Sequence, residues 1–228
     1  MVQDFQDVWL VIPVFNEETV IADVLAHVLR TFPNAVCVDD GSSDGSAARI
    51  LGSGAHLLRH PINLGQGAAL QTGLSYALAR PGAEYFVTFD ADGQHQVEDV
   101  VTMIGVLREK EADVVLGSRF LEAAHEVPPL KKLILRLIAS LSRPSRTLGL
   151  TDTHNGLRAF NRAVAEKVDI TQAGMAHASE LVDFLARANV KVREVPVTIK
   201  YTEYSMSKGQ SLLNGVNIIF DLALRRRG

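Results

Sequence analysis

Apolar residues recur along this chain in two alternating rhythms. Short runs rich in β-branched residues are followed by stretches in which apolar positions return every three or four residues. Val8 to Phe15 (VWLVIPVF) reads as a buried strand. Glu17 to Leu29 reads as a helix with Val20, Ile21, Val24, Leu25 and Val28 on one face. The alternation continues with a strand at Ala35 to Val38, a helix running to about Leu51, a strand at His56 to Arg59 and a helix at Gly67 to Ala79. Tyr85 to Phe89 is a fourth strand, Val97 to Glu109 a helix, and Asp113 to Gly117 a fifth strand. This spacing predicts an α/β fold, a mostly parallel twisted sheet with helices on both faces.

In such sheets ligands bind beyond the carboxyl ends of the strands. The polar residues best equipped for chemistry fall there: Asn16-Glu17, Asp39-Asp40, Asp90-Ala91-Asp92 and Ser118-Arg119 each follow an apolar run. The last third is less regular. Thr153 to Asn161 reads as a turn leading into a short strand, Ala178 to Ala188 as a helix, and Val190 to Tyr201 as an alternating strand. No repeat or low-complexity linker divides the chain. The 228 residues are therefore read as one domain over 1–210 with an amphipathic tail over 211–228.

Composition narrows the function classes. A formal net charge of -3 argues against a nucleic-acid partner. The single cysteine, Cys37, lies inside an apolar run and reads as a core residue. The first residues lack the basic start of a signal peptide, and no run of about 18 apolar residues is present. The expectation is a cytoplasmic protein whose contact with membrane is peripheral.

Three segments carry candidate chemistry. Asp90-Ala91-Asp92 presents two carboxylates at a strand end, and Mg2+ or Mn2+ is held by such oxygens together with phosphate and water. Asp-x-Asp alone is a common tripeptide, and its position after Tyr85 to Phe89 is what gives it weight. His95 nearby reads as a supporting or surface residue. Asp39-Asp40-Gly41-Ser42-Ser43-Asp44-Gly45 is either a helix-capping turn or a place where carboxylates meet a ribose or base edge. Asn63-Leu64-Gly65-Gln66-Gly67-Ala68-Ala69 is a small-residue loop that lets backbone approach either a phosphate or a neighbouring element.

These segments occur in one order, with Pro13-Val14-Phe15-Asn16-Glu17-Glu18 before them. Gly117-Ser118-Arg119-Phe120 and Asn155-Gly156-Leu157-Arg158-Ala159-Phe160 follow. Together they resemble the family 2 inverting glycosyltransferases of the GT-A fold, in particular the polyprenyl-phosphate branch that includes dolichyl-phosphate mannose synthases. The likeness runs from about Val8 to Lys208. It implies a UDP- or GDP-linked sugar donor whose base and ribose are lined by Pro13, Phe15, Asn16 and Glu17, beside Asp40 and Asp39. It implies a Mg2+ or Mn2+ ion held by Asp90, Asp92 and Gln94, with Ala91, Gly65 and Gly67 against the donor. Arg119 would face the reacting phosphates and Lys208 would lie near the diphosphate. One departure is Gln66, where that branch commonly carries Lys or Arg, so no charge contact is assigned there.

The acceptor decides whether a base is needed. A polyprenyl phosphate is already ionised at neutral pH, whereas a hydroxyl of a lipid-linked or soluble saccharide needs proton removal. Asp152 and Glu180 are the candidates for that base, with structural roles open to both. Pro128 to Thr147 carries Lys131, Lys132, Arg136, Arg143 and Arg146, no acid, and an apolar set at helical spacing. It reads as a surface helix or an interfacial one, and the resemblance favours the latter, with Arg136 contacting the lipid phosphate. Leu212 to Leu224, followed by three arginines, is apolar but too short to span, and reads as an amphipathic helix that docks on the domain, on a lipid surface or on a separate membrane-protein partner. A nucleotidyltransferase would also use paired aspartates, but the Gly-rich basic N-terminal loop expected of many is missing. A subunit with decayed chemistry would not be expected to keep both aspartates and Arg119.

Overall fold

A computed structural model describes residues 4–121 and 147–200. Arg136, Lys208, the Pro128 to Thr147 stretch apart from its last residue, and the tail over 211–228 lie outside the described residues.

Seven strands form one sheet: β1 (Val8–Val14), β2 (Asn34–Asp39), β3 (His56–Arg59), β4 (Tyr85–Thr88), β5 (Val114–Ser118), β6 (Arg158–Asn161) and β7 (Val192–Pro196). Their order is β3-β2-β1-β4-β6-β5-β7. The pairs β1 with β2, β1 with β4, β2 with β3 and β5 with β7 are parallel. β6 is antiparallel to both β4 and β5, between which it is inserted. The helices are α1 (Ile21–Val28), α2 (Ser46–Leu51), α3 (Gln66–Leu78), α4 (Val97–Arg108), the single turn α5 (Arg162–Ala165) and α6 (His177–Arg187).

β1 explains the layering. Its side chains alternate across the sheet, and nearly all of them are buried. Val8, Leu10, Ile12 and Val14 join one core with Ile21, Leu25 and Val28 of α1 and Val100, Met103 and Ile104 of α4. Trp9 and Val11 face the opposite core, made with Leu70, Leu74 and Ala77 of α3 and Leu181 and Leu185 of α6. A strand apolar on both faces needs helices above and below, and burial of each such side chain contributes roughly 1.5–3 kcal/mol.

Two sequence readings shift. The first helix begins at Ile21 rather than Glu17, because residues 17–20 form a turn in which the Glu17 carbonyl accepts from Val20 and Ile21. Of the described residues in the alternating run from Val190 to Tyr201, Val192–Pro196 join the sheet. Beyond it, the Lys200 amide donates to the carbonyl of Gln94 at 3.0 Å, which ties the chain's later part to the loop after β4.

Candidate active site

The carboxyl ends of β1, β2 and β4 open into a cleft of about 420 Å3, within the range of small-molecule sites. Pro13, Phe15, Glu17, Asp40, Gly65, Asp90, Ala91 and Asp92 line it, all of them expected from sequence. Val14, Asn63, Gln66, Ala69, His154 and Met175 complete the wall.

The turns after β1 and β2 are zipped together by backbone amides. Asn16 and Glu17 donate to the hydroxyls of Ser42 (2.9 Å) and Ser46 (2.8 Å), and Ser43 donates to Asn16 Oδ1 at 2.9 Å. Asn16 takes a left-handed φ of 54°, a conformation that asparagine tolerates well. Its carboxamide thus braces the turn, and it is Phe15, 44% exposed, that faces the cleft. Asp39 is fully buried below, accepting from the Ser42 amide (3.0 Å) and Arg59 Nε (2.9 Å). In this position it braces the turn after β2. Asp40 accepts from His60 Nδ1 (2.7 Å) and the Leu64 amide (2.9 Å) on Oδ1, and from the Gly65 amide (2.7 Å) on Oδ2. Burial would raise Asp40, but these hydrogen bonds outweigh it and hold the carboxyl below its ordinary range.

Asp90 is the hub of the site. Gln66 Nε2 donates to Oδ1 at 3.2 Å, and His95 Nε2 lies 3.0 Å from Oδ2. Gly156 presses against the same carboxylate, since a Cβ there would fall 2.3 Å from Oδ2. Burial would raise Asp90; the His95 hydrogen bond and the nearby charge of Arg158 outweigh it and leave it below the ordinary range. Asp92 behaves oppositely. Burial first, then the charge of Asp90, push it up to about 6, with Glu17 adding to the effect. Paired acids in a half-enclosed cleft are short of positive charge, so the donor set suits a divalent cation. Among the described residues no cluster of three or more His, Cys, Asp or Glu side chains is placed to hold a metal. Two carboxylates completed by phosphate and water is the pattern such a cation accepts.

The geometry gives several of the expected residues partners within the protein. Gln94 is buried and does not line the cleft, and its Nε2 has no hydrogen-bond partner among the described residues. The histidine beside it, His95, is the residue that touches Asp90. Arg119 directs its guanidinium fork at Asp152, Nε to Oδ2 at 2.6 Å and Nη2 to Oδ1 at 2.7 Å, rather than toward the cleft. Burial alone would raise Asp152, but Arg119 outweighs it and holds the carboxyl below its ordinary range. Glu180 accepts from the amides of Thr171 and Gln172 and from the Thr171 hydroxyl, also a structural role. Gly67 donates to the carbonyl of Ala173 at 2.7 Å, so the glycine loop lets a neighbouring element approach closely, while Gly65 lines the cleft.

Arg158 is a residue that sequence reading left without a role. It enters the interior from β6, is 4% exposed, and makes one long hydrogen bond, to the Thr153 carbonyl at 3.4 Å. Burial lowers its pKa to about 10 against the opposing pull of Asp90 and Asp152. Three buried polar side-chain atoms lack partners among the described residues: Gln94 Nε2, His95 Nδ1 and Asn155 Nδ2. All belong to the two loops that flank Asp90. Unsatisfied groups gathered at one place mark a site shaped for a ligand rather than for stability alone.

Residues 9–169 match the family model for Glycosyl transferase family 2. The chain is 29% identical to a UDP-N-acetylglucosamine--dolichyl-phosphate N-acetylglucosaminyltransferase of Methanococcus voltae, over 97% of this chain and 96% of that protein. It is also 29% identical to the polyprenol monophosphomannose synthase of Mycolicibacterium smegmatis, over 95% and 84% of the two lengths. Its fold matches that of glucosyl-3-phosphoglycerate synthase from Mycobacterium tuberculosis, solved with Mn2+ and UDP, with a TM-score of 0.69 and 20% identity over 89% of this chain and 74% of that one. With that match spanning most of the chain and including Asp90 and Asp92, this chain belongs to glycosyl transferase family 2.

Proposed function

We propose that the protein moves a sugar from a UDP- or GDP-linked donor to a polyprenyl phosphate, by single displacement with inversion. The observation that carries this reading is the convergence, in one cleft, of an exposed aromatic (Phe15), a braced acid (Asp40) and the paired acids Asp90 and Asp92. Phe15 offers a flat apolar face to the base. Asp40 Oδ2 takes only the Gly65 amide and keeps acceptor capacity for a ribose hydroxyl. Asp90 and Asp92 would hold Mg2+ or Mn2+, and that cation, when bound, offsets the charge that develops on the departing diphosphate. Gln66 and His95 fix the direction of the Asp90 carboxylate before any ligand arrives. In the displacement an acceptor phosphate oxygen bonds to the anomeric carbon as the bond from that carbon to the diphosphate oxygen breaks.

The acceptor assignment draws on the relatives named above and on the two acids considered as bases. Asp152 is held by Arg119 and Glu180 by the 171–172 backbone, and neither lines the cleft. A phosphate acceptor needs no base. Among the described residues no helix is long and apolar enough to cross a membrane. The basic stretch from Lys131 to Arg146 and the lipid acceptors of the relatives support a peripheral position on the cytoplasmic face, with a separate membrane protein as a partner.

The test is transfer of radiolabelled sugar from nucleotide donor to polyprenyl phosphate in the presence of Mn2+ or Mg2+. An organic-soluble product is expected, and label passing instead to an added saccharide would replace this acceptor assignment. Asp92→Ala should lower kcat/KM by roughly 10²–10³-fold, as loss of an electrostatic group at a reacting centre does. It should also abolish Mn2+ binding followed by electron paramagnetic resonance. Unchanged turnover in that variant would exclude the metal assignment.

A further inference from the structure

The segment between α5 and α6 lies directly across the start of α3. The Ala173 carbonyl accepts from the amides of Gly67 at 2.7 Å and Ala68 at 3.3 Å. The approach is close enough to need glycine: a Cβ on Gly67 would stand 2.1 Å from the Gln172 carbonyl oxygen, and one on Gly65 2.4 Å from that of Ala173. Other contacts pin the segment at both ends. The Ile170 amide donates to Gln71 Oε1 at 2.8 Å, and His177 Nδ1 lies 2.8 Å from the Gly174 carbonyl. The strongest anchor is Glu180, in the first turn of α6. Its carboxylate accepts from the Thr171 amide at 3.1 Å, the Gln172 amide at 3.0 Å and the Thr171 hydroxyl at 2.5 Å. Immediately after this anchored stretch comes Met175, 68% exposed and part of the cleft wall.

We propose that residues 171–175 form a strap that is the outer wall of the donor cleft, that Glu180 is its positioning residue, and that Met175 is the side chain it presents to the nucleotide sugar. This rests on the functional reading above. The strap also has a chemical consequence. Its carbonyl takes the Gly67 and Ala68 amides at the start of α3, which would otherwise be free to bind a phosphate. The helix start is a structural joint, and charge on the diphosphate must be met from elsewhere in the cleft.

The experiment compares wild type, Glu180→Ala, Glu180→Gln and Met175→Ala in steady-state kinetics, in UDP and GDP binding with Mn2+, and in amide hydrogen exchange. Glu180→Ala should raise the donor KM about tenfold while kcat stays within about twofold, the pattern of lost ground-state positioning. The pH profile of kcat should keep its shape, and the amides of Thr171, Gln172 and Gly67 should exchange faster. Glu180→Gln, with one oxygen left to serve three donors, should fall between. Met175→Ala should raise the donor KM without speeding that exchange. A Glu180→Ala protein with unchanged donor KM overturns the proposal, as does one that loses kcat together with a limb of its pH profile, the mark of a base. Wild type that binds neither UDP nor GDP would overturn the functional reading and the donor role of the strap with it. Wild type that binds while Glu180→Ala binds equally well would overturn the strap alone.

Discussion

Asp90 shows how a single side chain is prepared for work. Its two oxygens are met by Gln66 and His95, and Gly156 leaves no space behind it. Replacing Gly156 with alanine puts a methyl group against the Asp90 carboxylate, whose three atoms are the nearest to it and which can swing aside. Gly156→Ala should therefore fold with a stability loss of about 1 kcal/mol or less, while kcat/KM falls by tenfold or more, about the effect of a small misplacement at a reacting centre. Paired urea denaturation and kinetics check this, and equal losses in both would contradict it. Asp40 gives a prediction in pH. Its folded pKa lies below the ordinary 3.8, so its hydrogen bonds stabilise the fold fully above that value. As pH falls below about 4 the unfolded chain takes up the proton first, and the advantage shrinks through the folded pKa. Asp40→Asn should thus be less stable than wild type at pH 7, with the gap closing toward pH 3.

At the scale of elements, regular structure was largely legible because it is local. The runs starting at Val8, His56, Tyr85 and Val97 begin where the alternation of rhythms puts them. What was not legible depends on which elements meet. Nothing in Arg158–Asn161 announces that this short strand is inserted antiparallel between β4 and β5, and that insertion brings Gly156 and Arg158 to Asp90. Gln66 was weighed for charge, and its part is that of a neutral donor at the first position of α3. The strap is the same kind of case, visible only once α6 is folded onto α3. Its glycines supply the prediction at this scale. Gly67→Ala drives a Cβ into backbone that cannot step aside and should cost about 1–3 kcal/mol. Gly105→Ala, in α4 where nothing lies within 4 Å of the added carbon, should instead stabilise by about 0.5–1 kcal/mol. Chemical denaturation of the two variants should move in opposite directions.

For the molecule as a whole, the described sheet positions the cleft proposed for the donor, while a further feature bearing on a lipid acceptor lies in the charge pattern. The chain is acidic overall at -3, yet Lys131, Lys132, Arg136, Arg143 and Arg146 stand together without an acid. A cluster of one sign on a protein of the other sign is drawn to an anionic surface, by about 1 kcal/mol for each basic residue near the lipid. The full chain should then sediment with vesicles containing phosphatidylglycerol and not with purely zwitterionic ones. Raising salt from 0.05 to 0.5 M, roughly the range over which exposed charges become screened, should release it. Lys131→Gln with Lys132→Gln removes two of the five charges and should weaken vesicle binding by about tenfold to thirtyfold, on that same figure per residue. UDP or GDP binding is expected not to change, because the described lining of the cleft comes from residues 13–92, His154 and Met175. Arg136→Gln, if this side chain meets the acceptor phosphate, should raise the KM for polyprenyl phosphate more than it weakens binding to vesicles. Vesicle affinity untouched by the double replacement would move the membrane contact away from this stretch and leave the donor cleft as described.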